Sequence, residues 1–458
     1  MKWKSSWRAF IIFVSSAMWM TGAFAQERSD SVSPAVPLRT PEANNTVAPL
    51  TLDEAVQLAL KQASQFQQAA INERVVAEDV RQARAAFLPR VAAMPSLIAT
   101  TPALGANAPG TPRPPSFIGA NAITEYQGLV NVAGELDIGG RLRATLKRNQ
   151  ALLEAARAGT SVARRALILA VEDAYNNLAL AITARRSADQ SLAAAAEFER
   201  ITNLLLSGGE VAPVDATRAR LQTTARRDEL ERARAAESAV ADALRIFIGY
   251  DFTQPVATTD LVVATPEAGE IEGYAAGTIT ARPEFRQFVA ERRAAEQDIR
   301  LARAERRPQF TYSINGGSLT DSLRPSAIGT HTGASASVGV AFPLFDGGAS
   351  RSRERQARLR AEAAENARAV ATKTFAQEFY TARAQAISAV ARIRLASTGI
   401  RDAEQNVEAS IARYRAGEAS IIEVTDAQSI LIAQRSALYQ AIFDYQFARS
   451  RLRRATGQ

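Results

Sequence analysis

The chain has 458 residues, with 55 lysines and arginines against 47 acids, a formal net charge of +8, no cysteine and one histidine, His331. Lack of cysteine excludes disulfides, thiolate metal sites, a cysteine nucleophile and a lipid anchor on an N-terminal cysteine; one histidine excludes a His-rich metal site and leaves little for general acid–base catalysis. No glycine loop ending in Lys-Ser or Lys-Thr is present to cradle a phosphate, so the sequence reads as neither an enzyme nor a cofactor-binding protein.

The N-terminus has the form of an export signal over residues 1–25. Lys2, Lys4 and Arg8 precede an apolar run over 9–20, and Ala23-Phe24-Ala25 is a small-x-small cleavage site. The run is too short to span a bilayer comfortably. Removal of this segment with its three bases would leave a net charge of +5. Residues 26–50 carry Pro34, Pro37, Pro41 and Pro49 and read as an extended leader, unable to form helix or central strand.

Thr51-x-x-Glu54 has the form of a capping box. No glycine or proline follows before Leu88, which predicts one helix over 52–88. Residues 91–101 alternate weakly, because Met94-Pro95 interrupts them. Over 125–136, Glu125, Gln127, Asn131 and Glu135 lie on one face, with Tyr126, Val130 and Val132 on the other. Residues 141–206 hold no proline and one glycine, Gly159, among strong helix formers. At 1.5 Å per residue this helix would be about 100 Å long, too long to fold around one compact core. A glycine turn, Ser207-Gly208-Gly209, leads to Pro213 and a helix over 213–248.

The second half repeats this order. Residues 309–315 alternate Gln309, Thr311, Ser313 and Asn315 against Phe310, Tyr312 and Ile314, and 333–344 alternate apolar residues with Gly and Ser. A proline-free helix over 349–416, with the single glycine Gly399, reaches the Gly417 turn, and Ser420 opens a last helix ending near Thr456. The corners Asp137-Ile138-Gly139-Gly140 and Asp346-Gly347-Gly348 are each followed, 69 residues on, by Gly209 and Gly417. Asp215 and Glu423, Ala219 and Ala427, Leu244-Arg245 and Leu452-Arg453, and Gly249 and Gly457 all share an offset of 208. Ala83-Arg84-Ala85 and Ala302-Arg303-Ala304 match at 219, the drift falling in a loop longer in the first half. The chain is therefore expected to hold two copies of one unit, over 51–250 and 283–458, joined by a connector over 251–282.

In the last helix Val424, Ala427, Leu431, Leu438, Ala441, Tyr445, Ala448 and Leu452 step by three and four, with Gln434 the one polar member. That 3.5-residue seam calls for a supercoiled partner helix. Period two with one polar and one apolar face suits a transmembrane barrel strand of about ten residues, although a half-buried soluble sheet has the same period. Four strands cannot close a membrane barrel, whose smallest form has about eight, and an open edge in lipid leaves backbone groups unpaired. The barrel reading therefore requires several chains. The arginines are spread among glutamates on Ala-rich helices rather than clustered with aromatics, which argues against nucleic acid.

The chain resembles the TolC-type outer-membrane efflux channels over nearly everything after residue 50. Leu52-Asp53-Glu54-Ala55, the Pro-Leu-Phe-Asp-Gly-Gly corner at 343–348, and Tyr414-x-x-Gly417 running to Asp426-Ala427-Gln428 carry the resemblance, in order and in a duplicated frame. It implies a mainly α fold with a small β portion, in which long antiparallel coiled-coil helices form a trimeric periplasmic α-barrel. Four transmembrane strands per chain would close a 12-stranded outer-membrane β-barrel. The implied partners are two further copies in a homotrimer, a periplasmic adaptor (membrane fusion) protein, an inner-membrane pump and outer-membrane lipid. Glu423 and Asp426, three apart at a helix start, match the family's carboxylate ring at the periplasmic entrance; acids there also favour the helix dipole in their own right. Asp215 and Tyr414 match the pair that ties neighbouring tips shut, with the tyrosine hydroxyl donating to the carboxylate, and Ala419 stands where an arginine would add a second tie. A tyrosine simply packed in the seam is the other reading of Tyr414. The tips, with Gly208, Gly209, Pro213, Gly417 and Ser420, would be the adaptor-docking surface. The competing class is a periplasmic coiled-coil adaptor or structural spacer, and the cargo, whether drug, metal or protein, is not legible.

Overall fold

The computed structural model describes residues 49–99, 124–259 and 269–457. The expected signal and nearly all of the leader lie outside the described residues, as does the C-terminal end of the alternating segment 91–101. The elements in order are α1 (Leu52–Lys61), α2 (Gln65–Ala85), β1 (Arg90–Ala99), β2 (Thr124–Leu136), α3 (Arg141–Ser207) and α4 (Pro213–Ile248). A 3-10 turn (Ala276–Ala281), α5 (Pro283–Ala304), β3 (Gln309–Thr320), α6 (Pro325–Thr330), β4 (Thr332–Ala341), α7 (Ala349–Arg415) and α8 (Ile421–Thr456) follow.

The long helices α3 and α7 each contain 67 residues and the short α4 and α8 each contain 36, all at the offset of 208. Both long helices start the same way. Gly140 and Gly348 sit at the N-cap with φ of 81° and 87°, a left-handed conformation that suits glycine. Glycine has no side chain with which to cap, so the preceding aspartate does it. Asp137 accepts from the backbone N–H groups of Leu142 (2.9 Å) and Arg143 (3.0 Å), and Asp346 from those of Gly348 (3.0 Å) and Ser350 (2.7 Å). Each carboxylate also complements the positive end of a long helix dipole. The Ser350 bonds come first in holding the Asp346 carboxyl below its ordinary pKa.

Each long helix buries a narrow stripe instead of a broad face. α3 packs on α4, α5 and α2, and α7 packs on α8 and α5, while α3 also meets α8 and so joins the halves. Alanines let the rods approach closely: Ala386, Ala389, Ala441 and Ala448 are at most 1% exposed. Larger apolar clusters mark particular levels. Midway along α3, Val171, Tyr175, Leu178 and Ile182 pack on Ala55 and Ala59 of α1 and on Leu244 and Ile248 of α4. Full burial of a leucine such as Leu178 or Leu244 contributes about 2 kcal/mol. The equivalent level of α7 packs Phe379, Ala382 and Ala386 on Ala448 and Leu452 of α8, with Phe285 of α5.

The strands form one antiparallel sheet in the order β1-β2-β3-β4. Asn131 pairs with Asn315, and Val132 with Ile314, so the polar faces read from the sequence coincide across β2 and β3. Asn131 donates to Ser313 (2.8 Å) and to Asn315 (2.7 Å), building a polar ladder on one face. The other face carries Val91, Leu97, Val130, Ile314, Val338 and Val340, all exposed. Among the described residues, β1 and β4 each have a neighbour on one side only.

Three expectations are corrected. The single helix over 52–88 is two helices. Gln62 is extended at ψ 159° and Ser64 caps α2 by accepting from the Gln67 N–H at 3.4 Å. The first strand runs through Pro95, which stands opposite Gly128 in the ladder, instead of being interrupted there. The strand expected over 333–344 stops at Ala341, before Pro343.

Candidate functional site

The end of the helical rods farthest from the sheet gathers the residues that the sequence singled out. Both turns close with the same pair of backbone bonds. Glu210 N–H donates to Leu205 C=O (2.9 Å) and Gly209 N–H to Leu206 C=O (3.0 Å); Glu418 donates to Arg413 (2.9 Å) and Gly417 to Tyr414 (3.1 Å). This closure needs a left-handed residue, supplied by Gly209 at φ 77° and Gly417 at φ 75°. Gly208 is the right-handed C-cap of α3, Pro213 is the first residue of α4, and Ser420 is the extended N-cap of α8, making no side-chain cap bond. A Cβ placed on Gly209 or Gly417 would meet nothing within 4 Å.

Phe198 of α3, Ala219 of α4, Tyr414 of α7, and Ile421 and Val424 of α8 form one buried cluster, which brings the four helices together beneath the turns. The expected bond from Tyr414 to Asp215 is not made within this chain. Asp215 instead faces Arg218, one turn along α4, at 3.9 Å. The Tyr414 ring packs on Phe198, with centroids 5.3 Å apart, and its buried hydroxyl makes no well-formed hydrogen bond among the described residues. Burial first, and then the Asp215 charge, push the Tyr414 phenol above its ordinary pKa, with the Thr202 hydroxyl pulling the other way. Within this single chain the Tyr414 ring packs in the seam.

Glu423 and Asp426 share the first turns of α8 but have different surroundings. Arg413, in the last turn of α7, donates to Glu423 at 2.5 Å and reaches the Glu418 carbonyl at 3.4 Å. Asp426 is exposed and has no ion pair among the described residues. It lines a groove of about 420 Å³ between α4 and α8, with Arg218, Leu221, Gln222, Arg226 and Ile422. Gln222, which also lines the groove, donates to Gln428 of α8 at 2.7 Å.

Sequence reasoning missed a belt of polar contacts halfway along the rods. The Arg282 side chain is 1% exposed, yet charged; it bonds Glu284 (2.8 Å) and Glu378 (2.9 Å) and lies 3.8 Å from the centre of the Phe375 ring. Burial works against the Glu284 carboxylate, but the Arg282 bonds and charge together outweigh it and hold its pKa low. Tyr445 donates to Glu270 at 2.5 Å; burial and that carboxylate push its phenol up. In the first half Tyr175 bonds the Leu50 carbonyl at 2.8 Å and Thr259 at 2.7 Å. Arg282 sits just before a helix-opening Pro283, the one local sign that could have drawn attention to it.

Long paired rods capped by a small sheet, with turns gathered at the far end, form the architecture of an outer-membrane channel. The CmeC outer membrane channel of Campylobacter jejuni superposes with a TM-score of 0.80 at 18% identity, over 89% of this chain and 85% of that one. VceC of Vibrio cholerae gives 0.77 at 18% identity (89% and 96%). The open-state MtrE outer membrane channel of Neisseria gonorrhoeae gives 0.75 at 19% identity (89% and 88%). No individually curated protein matches the chain. The sequence profile of the outer membrane efflux proteins matches residues 55–249 and 278–458, and the chain belongs to that family. It is accordingly an outer-membrane protein of a Gram-negative cell, an exit channel with a periplasmic extension, in a family of channels rather than enzymes.

Proposed function

We propose that three copies assemble into a passive exit duct, whose sheets close a 12-stranded barrel in the outer membrane and whose helices form a tube through the periplasm. The observation that carries this reading is the sheet. Among the described residues it has two outer edges, one hydrogen-bonded polar face and one exposed apolar face. In lipid such a sheet satisfies its edge backbone groups only by pairing with further strands. Three copies supply 12 strands, with the Asn131–Asn315 ladder facing water and Val130, Ile314 and Val338 facing lipid. Tyr312, Phe342 and Phe345, near the helix end of the sheet, fit an aromatic girdle at the inner interface. The turns at Gly208, Gly209, Pro213, Gly417 and Ser420 then form the periplasmic entrance, where a periplasmic adaptor joins the duct to an inner-membrane pump that supplies the energy. Acids at that entrance, Asp426 with Glu423, set a field that draws cations. Purified protein added to a planar bilayer tests the reading. Stable, uniform conductance steps with a preference for cations are expected; the absence of any conductance from protein that has entered the membrane would overturn it.

A further inference from the structure

Resting on that reading of the entrance, we infer that Arg413 tunes the charge of the mouth, compensating Glu423 so that Asp426 is the uncompensated acid at the start of α8. The arginine is fixed where this requires. It ends α7, bonds the Glu418 carbonyl inside the turn, and donates to Glu423 at 2.5 Å from across the turn. Both side chains remain partly exposed, at 53% and 38%, so the pair adds little stability. Its effect is on the field: a carboxylate paired at contact distance presents a dipole to a passing ion rather than a full charge.

The first half compensates its own acid by a different route. Asp215 stands at the position equivalent to Glu423, and its partner is Arg218, from the same helix at 3.9 Å. Leu205 occupies the place equivalent to Arg413, and Arg218 the place equivalent to Asp426. Each half therefore neutralises the first acid of its short helix, and the second half alone adds another. Asp426 shares its groove with Arg218 and Arg226, but Arg226 is itself paired with Glu229 at 2.7 Å. At the starts of the short helices a threefold mouth then carries one uncompensated ring, that of Asp426, while Arg413 holds back the Glu423 ring; Glu210 and Glu418 in the turns add carboxylates outside this pair.

Block of single channels by hexamminecobalt applied to the helix-tip side tests this, alongside the cation-to-anion permeability ratio. Arg413→Gln should tighten block and raise the ratio by on the order of twofold, and Arg413→Lys should leave both near wild type. Glu423→Gln should move both the opposite way, and the double variant Arg413→Gln/Glu423→Gln should return to wild type. Asp426→Asn should weaken block most. If Asp426→Asn weakens block while Arg413→Gln changes nothing, or if the double variant behaves as Glu423→Gln alone, compensation by Arg413 is overturned. If neither Asp426→Asn nor Glu423→Gln has any effect, the reading of this end as the entrance fails instead.

Discussion

α3 and α7 have the same length, as do α4 and α8, yet the short helices that lead into the sheet are anchored by different chemistry in the two halves. In the first half Ser64 caps α2 through its hydroxyl, and Gln62 reaches back to the Ile248 carbonyl at 3.3 Å. In the second half Pro283 opens α5 and the buried Arg282 ties it to Glu378 of α7. One half uses a local cap, the other a long-range ion pair under an aromatic ring. A duplicated frame thus constrains lengths and burial, because rods must stay in step to share a seam. It leaves the polar fastenings free to differ.

The largest expected effect is functional and concerns the two tips. Gly209→Leu together with Ser420→Leu should abolish export while the protein still assembles and reaches the outer membrane. The added side chain at Gly209 meets open space, and the cost of its left-handed backbone, about 1–2 kcal/mol, is local. Retained export in this variant would mean that the adaptor engages elsewhere. Enlarging each site alone compares the two tips directly.

Removing the second half's fastening comes next. Arg282→Met should lower resistance to thermal or urea unfolding by about 3 kcal/mol, because Glu284 and Glu378 lose their shared partner and Glu284 stays largely buried. In the first half, Ser64→Ala should cost about 1 kcal/mol. Equal losses at the two sites would show that the fastenings do not differ in strength.

A third contrast lies at the middle of the long helices, where Asp173 stands opposite Thr381 in the duplicated frame. Burial raises the Asp173 carboxyl to about 6, against the pull of Arg451, and one of its oxygens has no partner. A carboxyl raised in the folded state binds its proton more tightly there than in the unfolded chain. Stability should therefore fall as pH rises from about 4 to about 6. Asp173→Thr should flatten that slope and add about 1 kcal/mol at pH 7, a figure discounted for the partial exposure of the group. An unchanged slope would assign the pH dependence to other groups.

The smallest effect is expected at Tyr414. Its buried hydroxyl makes no well-formed hydrogen bond, so Tyr414→Phe should leave stability unchanged or raise it by up to about 1 kcal/mol, with conductance unaltered. A rise in conductance would restore the tie to Asp215.

These contrasts also mark what the sequence made legible. The ends of the long helices and of α4 were readable to within a residue or so, because glycine corners and Pro213 punctuate them. The break at Gln62-Ala63-Ser64 was not, since it contains neither glycine nor proline and depends on a serine cap that also occurs within helices. β1 was underrated because Pro95 breaks the alternation of the sequence, although the strand pairs straight through it. At the tip, Asp215, Tyr414, Glu423 and Asp426 could be named from the sequence, but the Arg413 partner of Glu423 could not. Arg413 and Glu423 are ten apart across a turn, outside the three- and four-residue spacing that betrays helical ion pairs. Arg282 and Glu378 are 96 apart and meet only once the helices are packed.

The account depends most on closure of the sheet by further copies. The mass of the protein extracted from membranes in detergent, measured by light scattering with the detergent contribution subtracted, tests this directly. Three chains per particle are predicted. A monodisperse single chain that keeps its full strand content would contradict the account, because a lone sheet would then be stable with both of its edges open.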